Sequence, residues 1–140
     1  MKVDLHLHTT ASDGKLTPQE IVYSAANLGF SLIAITDHDS VDGIPSALAT
    51  AQAYPSLMVI PGIELNADIP HNEIHILGYF IDCTNTNFRS TLQWLRDSRR
   101  ERAAKIVTKL HTLGINVDWH RVRELAQDAP IGRPHIAQAL

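Results

Sequence analysis

Lys2-Val-Asp-Leu-His-Leu-His8 opens the chain in alternation, with Val3, Leu5 and Leu7 on one face and Asp4, His6 and His8 on the other. Period two predicts a β-strand. Thr17-Pro-Gln-Glu20 then predicts a helix start, because Thr17 can cap, Pro18 suits the first helical position and Glu20 completes a capping box. That helix is expected to stop near Gly29. Residues 31–36 predict a second strand, residues 43–53 a second helix, and residues 57–60 a third strand ending at Pro61-Gly62. Residues 63–69 and 73–81 read as a hairpin around Pro70-His71-Asn72. Strands alternating with helices argue an α/β fold with a parallel sheet. From Phe88 the period is helical, with Leu92, Leu95, Ile106, Leu110 and Leu113 on one face and Gly114 as the stop. Asp118 can cap a shorter helix to about Gln127, Gly132-Arg-Pro-His135 reads as a turn, and Ile136 begins a further helix. No repeat, low-complexity tract or linker divides the chain, so residues 1–140 read as a single domain.

Composition narrows the function. With 44% hydrophobic and 19% charged residues in 140, the chain has globular composition and disorder is excluded. No run approaches the roughly 18 to 20 apolar residues of a membrane span, and the N-terminus lacks the order of a signal peptide, so a cytoplasmic protein is expected. The lone cysteine, Cys83, cannot form an internal disulfide. A net charge of −3 gives no global attraction for duplex nucleic acid or anionic lipid, so an anionic ligand must be met by a local site. Histidine is the unusual component. Three of the eight, His6, His8 and His38, fall near Asp4, Asp13, Asp37 and Asp39.

His6 and His8, two apart on a strand, project to one side and can chelate one ion; alternatively, they belong to the solvated face of an edge strand. The next two strands favour chelation, since Asp37-His38-Asp39 follows one and Glu64 follows the other. Functional groups gather at the carboxyl ends of strands in parallel α/β folds. Asp13, within Ser12-Asp-Gly14, is either a turn residue or a ligand on that rim. His75 alternates opposite Ile74 and Ile76 and faces away from the apolar layer. No nucleophile competes: Cys83 has no motif around it and Ser12 suits a turn.

Six of the twelve basic residues, Arg96, Arg99, Arg100, Arg102, Lys105 and Lys109, lie in one stretch of the long helix. A solvated face balanced by Asp97 and Glu101 explains most of them. Arg99, however, falls in the middle of the apolar stripe with Arg102 at its edge, and an unpaired buried guanidinium is costly. An anion should meet it. Phosphate, matched by the arginine fork, is favoured over a structural carboxylate, which makes Arg99 and Arg102 candidate substrate contacts.

Taken together, Asp4-Leu-His-Leu-His8 with Ser12-Asp-Gly14, Ile35-Thr-Asp-His-Asp39, Pro61-Gly-Ile-Glu64 and His75-Ile-Leu77 resemble the PHP (polymerase and histidinol phosphatase) family over nearly the whole chain. The resemblance implies a distorted, TIM-like, seven-stranded β/α barrel holding three divalent ions (Mn, Zn or Fe) at the strand ends. It implies that His6 and His8 hold one ion, that Glu64 bridges it to a second held by His75, and that Asp13 with His38 binds a third. Asp4, Asp37 and Asp39 would orient the imidazoles. The family also uses a further histidine and a late Asp-x-His pair, and no such ligand pair is expected after Asp39 here. A complete barrel takes roughly 200 residues or more, so the chain reads as the N-terminal part of one, truncated in its C-terminal half. Alone it is expected to load metal incompletely, to show weak or no activity and, through its open sheet edge, to self-associate.

Gly132-Arg-Pro-His-Ile-Ala and His75-Ile-Leu-Gly-Tyr-Phe resemble the branch of nucleoside 3′,5′-bisphosphate phosphatases and 5′-end RNA exonucleases. This implies that Arg133 and His135 help hold substrate phosphate, although a plain turn before a helix explains the same string. The implied enzyme is a metal-dependent phosphoesterase in which a metal-bridged hydroxide, held by Glu64, His6 and His8, attacks a nucleotide phosphate monoester while Arg99 and Arg102 neutralise charge. Histidinol phosphate or another small phosphomonoester is the alternative substrate. A non-catalytic metal-binding module is the alternative role.

Overall fold

In the computed structural model, which describes residues 1–69 and 72–140, the chain orders as β1 (Lys2–Leu7), α1 (Pro18–Asn27), β2 (Phe30–Ile35), α2 (Ile44–Ala51), β3 (Met58–Ile69), β4 (Asn72–Tyr79), α3 (Thr86–Thr112), α4 (Trp119–Ala126) and α5 (Arg133–Gln138). The four strands form one sheet in the order β1-β2-β3-β4. β1, β2 and β3 pair in parallel, and β4 returns antiparallel on β3. This is the expected α/β sheet with a terminal hairpin; the turn expected at Pro70-His71 lies outside the described residues. The sheet curls, so that the Tyr79 hydroxyl at the end of β4 donates to the Leu5 carbonyl of β1 at 3.0 Å.

α1 starts where the sequence predicts. Thr17 caps it through a hydroxyl that accepts from the Glu20 amide, and Glu20 reaches back to the Thr17 amide at 2.7 Å. α1 and α2 cover the sheet with a core that includes Val22, Ile33, Ile35, Ile44, Ala47 and Ile63. A second cluster joins Ala103 and Val107 of α3 to Val122 and Ala126 of α4, Ile131, and Ile136 of α5. α3 is long enough to serve both. Its most buried residues are Leu92, Arg99, Ala103 and Val107; Leu95, Ile106 and Leu110 of the expected row pack partly buried against the two cores, and Leu113 alone of that row is left exposed.

Three local features depart from the sequence pattern. First, β1 carries a bulge: Asp4 pairs with Ile33 but Leu7 with Ile35, three residues advancing against two. The extra residue places Asp4 and Leu7 together against Ile21 and Ala25 of α1, while Val3 and Leu5 remain exposed. Second, β3 does not end at Pro61-Gly62. Pro61 makes the last pairing to β2 and Gly62 the first to β4, so the dipeptide marks where the strand changes partner. Third, α5 begins at Arg133 rather than Ile136, with Pro134 inside its first turn.

Gly62 shows why that exchange needs glycine. A Cβ there would lie 2.8 Å from Thr36 Cγ2 and 3.0 Å from both the Ile35 and Gly78 carbonyl oxygens. Two of these neighbours are backbone and cannot rotate away. Gly62→Ala is expected to destabilise the protein by about 1–3 kcal/mol, the usual range for overpacking. Urea unfolding followed by circular dichroism checks it, and an unchanged midpoint would contradict the tight crossing.

Candidate metal centre

The carboxyl ends of β1 and β2 meet the middle of β3, where it passes from β2 to β4, and Glu64 lies at the centre of this rim. Its side chain is 2% exposed, yet four imidazoles surround it. His6 Nε2 and His8 Nε2 each lie 2.9 Å from Oε2, His38 Nδ1 lies 3.5 Å from Oε2, and His75 Nδ1 is hydrogen-bonded to Oε1. Asp13 joins from the β1–α1 loop, with Oδ1 3.1 Å from His8 Nδ1 and Oδ2 3.8 Å from His38 Nε2. All six residues at candidate ligand positions are thus brought together. They form three sets whose donor atoms lie within 4.8 Å of one another: His6, His8 and Glu64; His8, Asp13 and His38; and His38, Glu64 and His75.

Backbone geometry holds this cluster in place. His38 and Glu64 form a parallel bridge, in which the Asp39 amide donates to the Glu64 carbonyl at 3.0 Å and the Glu64 amide to the Asp37 carbonyl at 3.2 Å. Asp37 then fixes the neighbouring loop. Its buried carboxylate accepts from the Thr9 amide at 2.7 Å, the Thr9 hydroxyl at 2.8 Å and the Ser12 hydroxyl at 2.6 Å. The loop closes tightly enough that a Cβ on Gly14 would lie 2.3 Å from the His8 carbonyl oxygen. Asp13 is thereby held beside His8.

The donor set fits divalent ions. Both nitrogens of His8 face carboxylate oxygens, but a neutral imidazole carries one N–H, so one of those contacts requires either a proton or a cation between the atoms. His38 Nδ1 is buried without a hydrogen-bond partner among the described residues. Imidazole and carboxylate together suit zinc, manganese or iron. The packing of charges sets the acidities. Burial opposes ionisation of Asp13, but the His8 hydrogen bond and the His38, His8 and His135 charges outweigh it and lower its pKa to about 2. Burial likewise works against the Glu64 carboxylate; the His6 hydrogen bond, the His38 charge and the His75 hydrogen bond prevail and hold it below its ordinary value. Burial would lower His8, yet the Asp13 hydrogen bond and charge, with Glu64 and Asp37, raise it. His38 is pushed down by burial and then by the Arg99 charge, which favours the neutral imidazole that a metal ligand must be.

The three aspartates expected to orient imidazoles have other partners. Asp4 accepts from the His6 backbone amide at 3.1 Å, Asp37 holds Thr9 and Ser12, and Asp39 is ion-paired with Arg99. The anion that meets Arg99 inside the protein is therefore a carboxylate, bonded to Nε, while Arg99 Nη2 is buried with no hydrogen-bond partner among the described residues. Arg102 lines a groove with Asp39, Asn66 and Arg99 beside the cluster. Arg96, read from sequence as part of a solvated face, instead grips the β2–α2 loop. It donates to the Ser40 hydroxyl at 2.9 Å and the Asp39 carbonyl at 3.3 Å, and pairs with Asp42.

The two C-terminal candidates differ: the His135 ring bonds the Ser12 backbone and its charge acts on Asp13, which brings it beside the ligand-bearing loop. Arg133 is exposed at the start of α5, whereas His135 is 5% exposed and its Nδ1 accepts from the Gly132 amide at 3.0 Å, which closes the first turn of its own helix. The late Asp-x-His spacing does occur, at Asp118-Trp-His120. There Asp118 caps α4 and His120 is an exposed partner of Glu124, so the pair supplies nothing to the cluster.

Comparison with known proteins shows the family. Residues 4–129 match the PHP domain family. The chain is 36% identical over 138 residues to the 5′-3′ exoribonuclease Rnm of Salmonella typhimurium, covering 98% of this chain and 47% of that protein. It is 35% identical over 113 residues to the 3′,5′-nucleoside bisphosphate phosphatase of Chromobacterium violaceum, covering 81% of this chain and 39% of that one. The structure of an amidohydrolase from Chromobacterium violaceum, with bound sulfate and no metal, superposes with a TM-score of 0.90 at 31% identity, covering 100% of this chain and 49% of the other. The chain thus spans about half the length of the curated relatives it matches.

Proposed function

Because the chain belongs to the PHP domain family, we propose that it carries the metal centre of a phosphoesterase that hydrolyses a phosphate monoester of a nucleotide, either a nucleoside 3′,5′-bisphosphate or an RNA 5′ end. The supporting observation is the buried Glu64 carboxylate ringed by four imidazoles. His6, His8, Glu64, Asp13, His38 and His75 would hold divalent ions. Such ions supply Lewis acidity toward phosphoryl oxygens and make water a nucleophile near neutral pH.

The chain's own residues provide the rest. Glu64 keeps a fixed negative charge in the middle of the donor set, which lets three cation sites lie close together. His6 and His75 are about half exposed and form the open side by which a phosphate ester approaches. His8, Asp13 and His38 lie deeper, braced by the Asp37 hydrogen bonds. Arg99 and Arg102 put positive charge on one flank, where an anionic ester gains most from it. The names of the two relatives motivate the nucleotide reading.

A panel of phosphoesters with added manganese tests it: a nucleoside 3′,5′-bisphosphate, a short 5′-phosphorylated RNA, histidinol phosphate and glycerol phosphate. Turnover of the nucleotide esters that chelator abolishes is the expected result. Preference for histidinol phosphate or glycerol phosphate would move the assignment to a small-molecule phosphatase. Bound metal with no turnover of any ester would leave a metal-binding module.

A further inference from the structure

We propose that the groove between β3 and the middle of α3 is a nucleobase site, with the Trp94 indole as its stacking face and Arg99 and Arg102 flanking the ring. The proposal rests on the nucleotide reading above and adds the part of the ligand that the metal centre does not touch.

Trp94, Leu95, Ser98, Arg99 and Arg102 occupy one face of α3, and Asp39 and Asn66 form the opposite wall. The space between them is about 290 Å³. That is just under the ~300–1,000 Å³ of sites for drug-sized ligands, which suits one planar ring system better than a folded oligonucleotide. Trp94 is 67% exposed and polar groups lie around it. An exposed indole alone would mean little. The second observation is Arg99, itself 8% exposed, whose Nη2 has no hydrogen-bond partner among the described residues although its Nε is committed to Asp39. Arg99 lines the groove beside Trp94, and its buried Nη2 carries an N–H donor not satisfied by a described residue, which a ring nitrogen, carbonyl or sugar oxygen reaching the guanidinium would meet.

Position ties the groove to the phosphate chemistry. Asn66 follows Glu64 by two residues on the same strand face, about 7 Å along β3 at the usual strand rise, and pairs across with His75. Asp39 is hydrogen-bonded through its amide to the Glu64 carbonyl at 3.0 Å. A ligand with its phosphate at the histidine cluster and a flat ring against Trp94 needs a short linker between them. A nucleoside phosphate has that shape, with ribose as the linker. Stacking accepts any base, since each presents a π face, so the site predicts nucleotide preference with little discrimination among bases.

Binding can be read without catalysis. Trp94 and Trp119 are the two tryptophans, so Trp119→Phe leaves Trp94 as the single reporter. In chelator, AMP is expected to quench its fluorescence saturably and ribose 5-phosphate to leave it unchanged. Trp94→Ala should raise the KM for a nucleoside bisphosphate by roughly 5- to 100-fold, in line with the loss of one base stack, while Trp94→Phe restores most of it and turnover of glycerol phosphate stays the same. Equal quenching by ribose 5-phosphate, or an unchanged KM for the nucleotide in Trp94→Ala, overturns the proposal even if nucleotides are hydrolysed. Quenching by AMP in a protein that hydrolyses nothing keeps the groove and removes the phosphoesterase reading. No quenching and no nucleotide turnover removes both.

Discussion

Glu64→Gln should abolish metal-dependent phosphoester hydrolysis, with kcat/KM falling at least ~10³-fold, since the ions supply several kcal/mol and each 1.36 kcal/mol is tenfold in rate. Glu64 contributes to two of the three donor sets, and its oxygens face His6, His8, His38 and His75. Glutamine has the same shape but no charge, and it presents an NH₂ group where the carboxylate presents an acceptor. The ions would lose their shared anionic donor. Folding should suffer too, because the bonds from His6 and His75 and the His38 charge outweigh burial and hold the Glu64 pKa below its ordinary value, so the ionised carboxylate contributes stability that a neutral amide lacks. Elemental analysis should therefore show lost metal, and thermal unfolding in chelator at neutral pH a lower midpoint, with the difference shrinking as pH falls through the Glu64 pKa. If metal content and turnover both survived, Glu64 would be a structural carboxylate satisfied by protonated histidines.

His6, His8, His38 and Glu64 were legible because ligand-type side chains follow successive apolar strand segments; Asp13, on a loop, and His75, mid-strand, were left open by alternation and joined the set through the resemblance to the PHP family. Their supports were not legible. Asp37 and Asp39 flank His38 in sequence, which suggests that they serve its ring. Their partners are instead Thr9 and Ser12, 28 and 25 residues away, and Arg99, 60 residues away. Local spacing carries no trace of such contacts. The bulge in β1 was hidden for a related reason: alternation of Val3, Leu5 and Leu7 is a property of the chain, but which of them meets α1 depends on pairing with β2. Pro61-Gly62 misled because the same dipeptide that ends a strand can also mark where one strand passes from a parallel to an antiparallel neighbour. His135 looked like a turn residue; its Nδ1 closes its own helix start, while the ring also bonds the Ser12 backbone beside Asp13.

Arg99→Ala is expected to destabilise the protein by about 3–5 kcal/mol, the cost of leaving one member of a buried ion pair without its partner. Arg99 is 8% and Asp39 2% exposed, so water can compensate little of the loss. The backbone adds to the effect. Asp39 has φ 47°, in the left-handed region, and is held there by its amide bond to the Glu64 carbonyl, by Arg96 on its own carbonyl and by Arg99 on its side chain. Removing Arg99 frees the residue next to His38, so metal loading should fall together with stability. Asp39→Asn combined with Arg99→Ala removes the orphaned charge and should recover much of the loss, which a double-mutant cycle measures as the coupling between the two. Urea unfolding and metal content, taken on the single and double variants, decide the matter. If Arg99→Ala unfolds at the wild-type midpoint and only weakens binding of phosphate esters, the guanidinium belongs to the substrate and Asp39 is its positioning partner; if stability falls and the double variant restores it, Arg99 is first the anchor of α3 to the metal-bearing loop and only through Nη2 a contact for ligand.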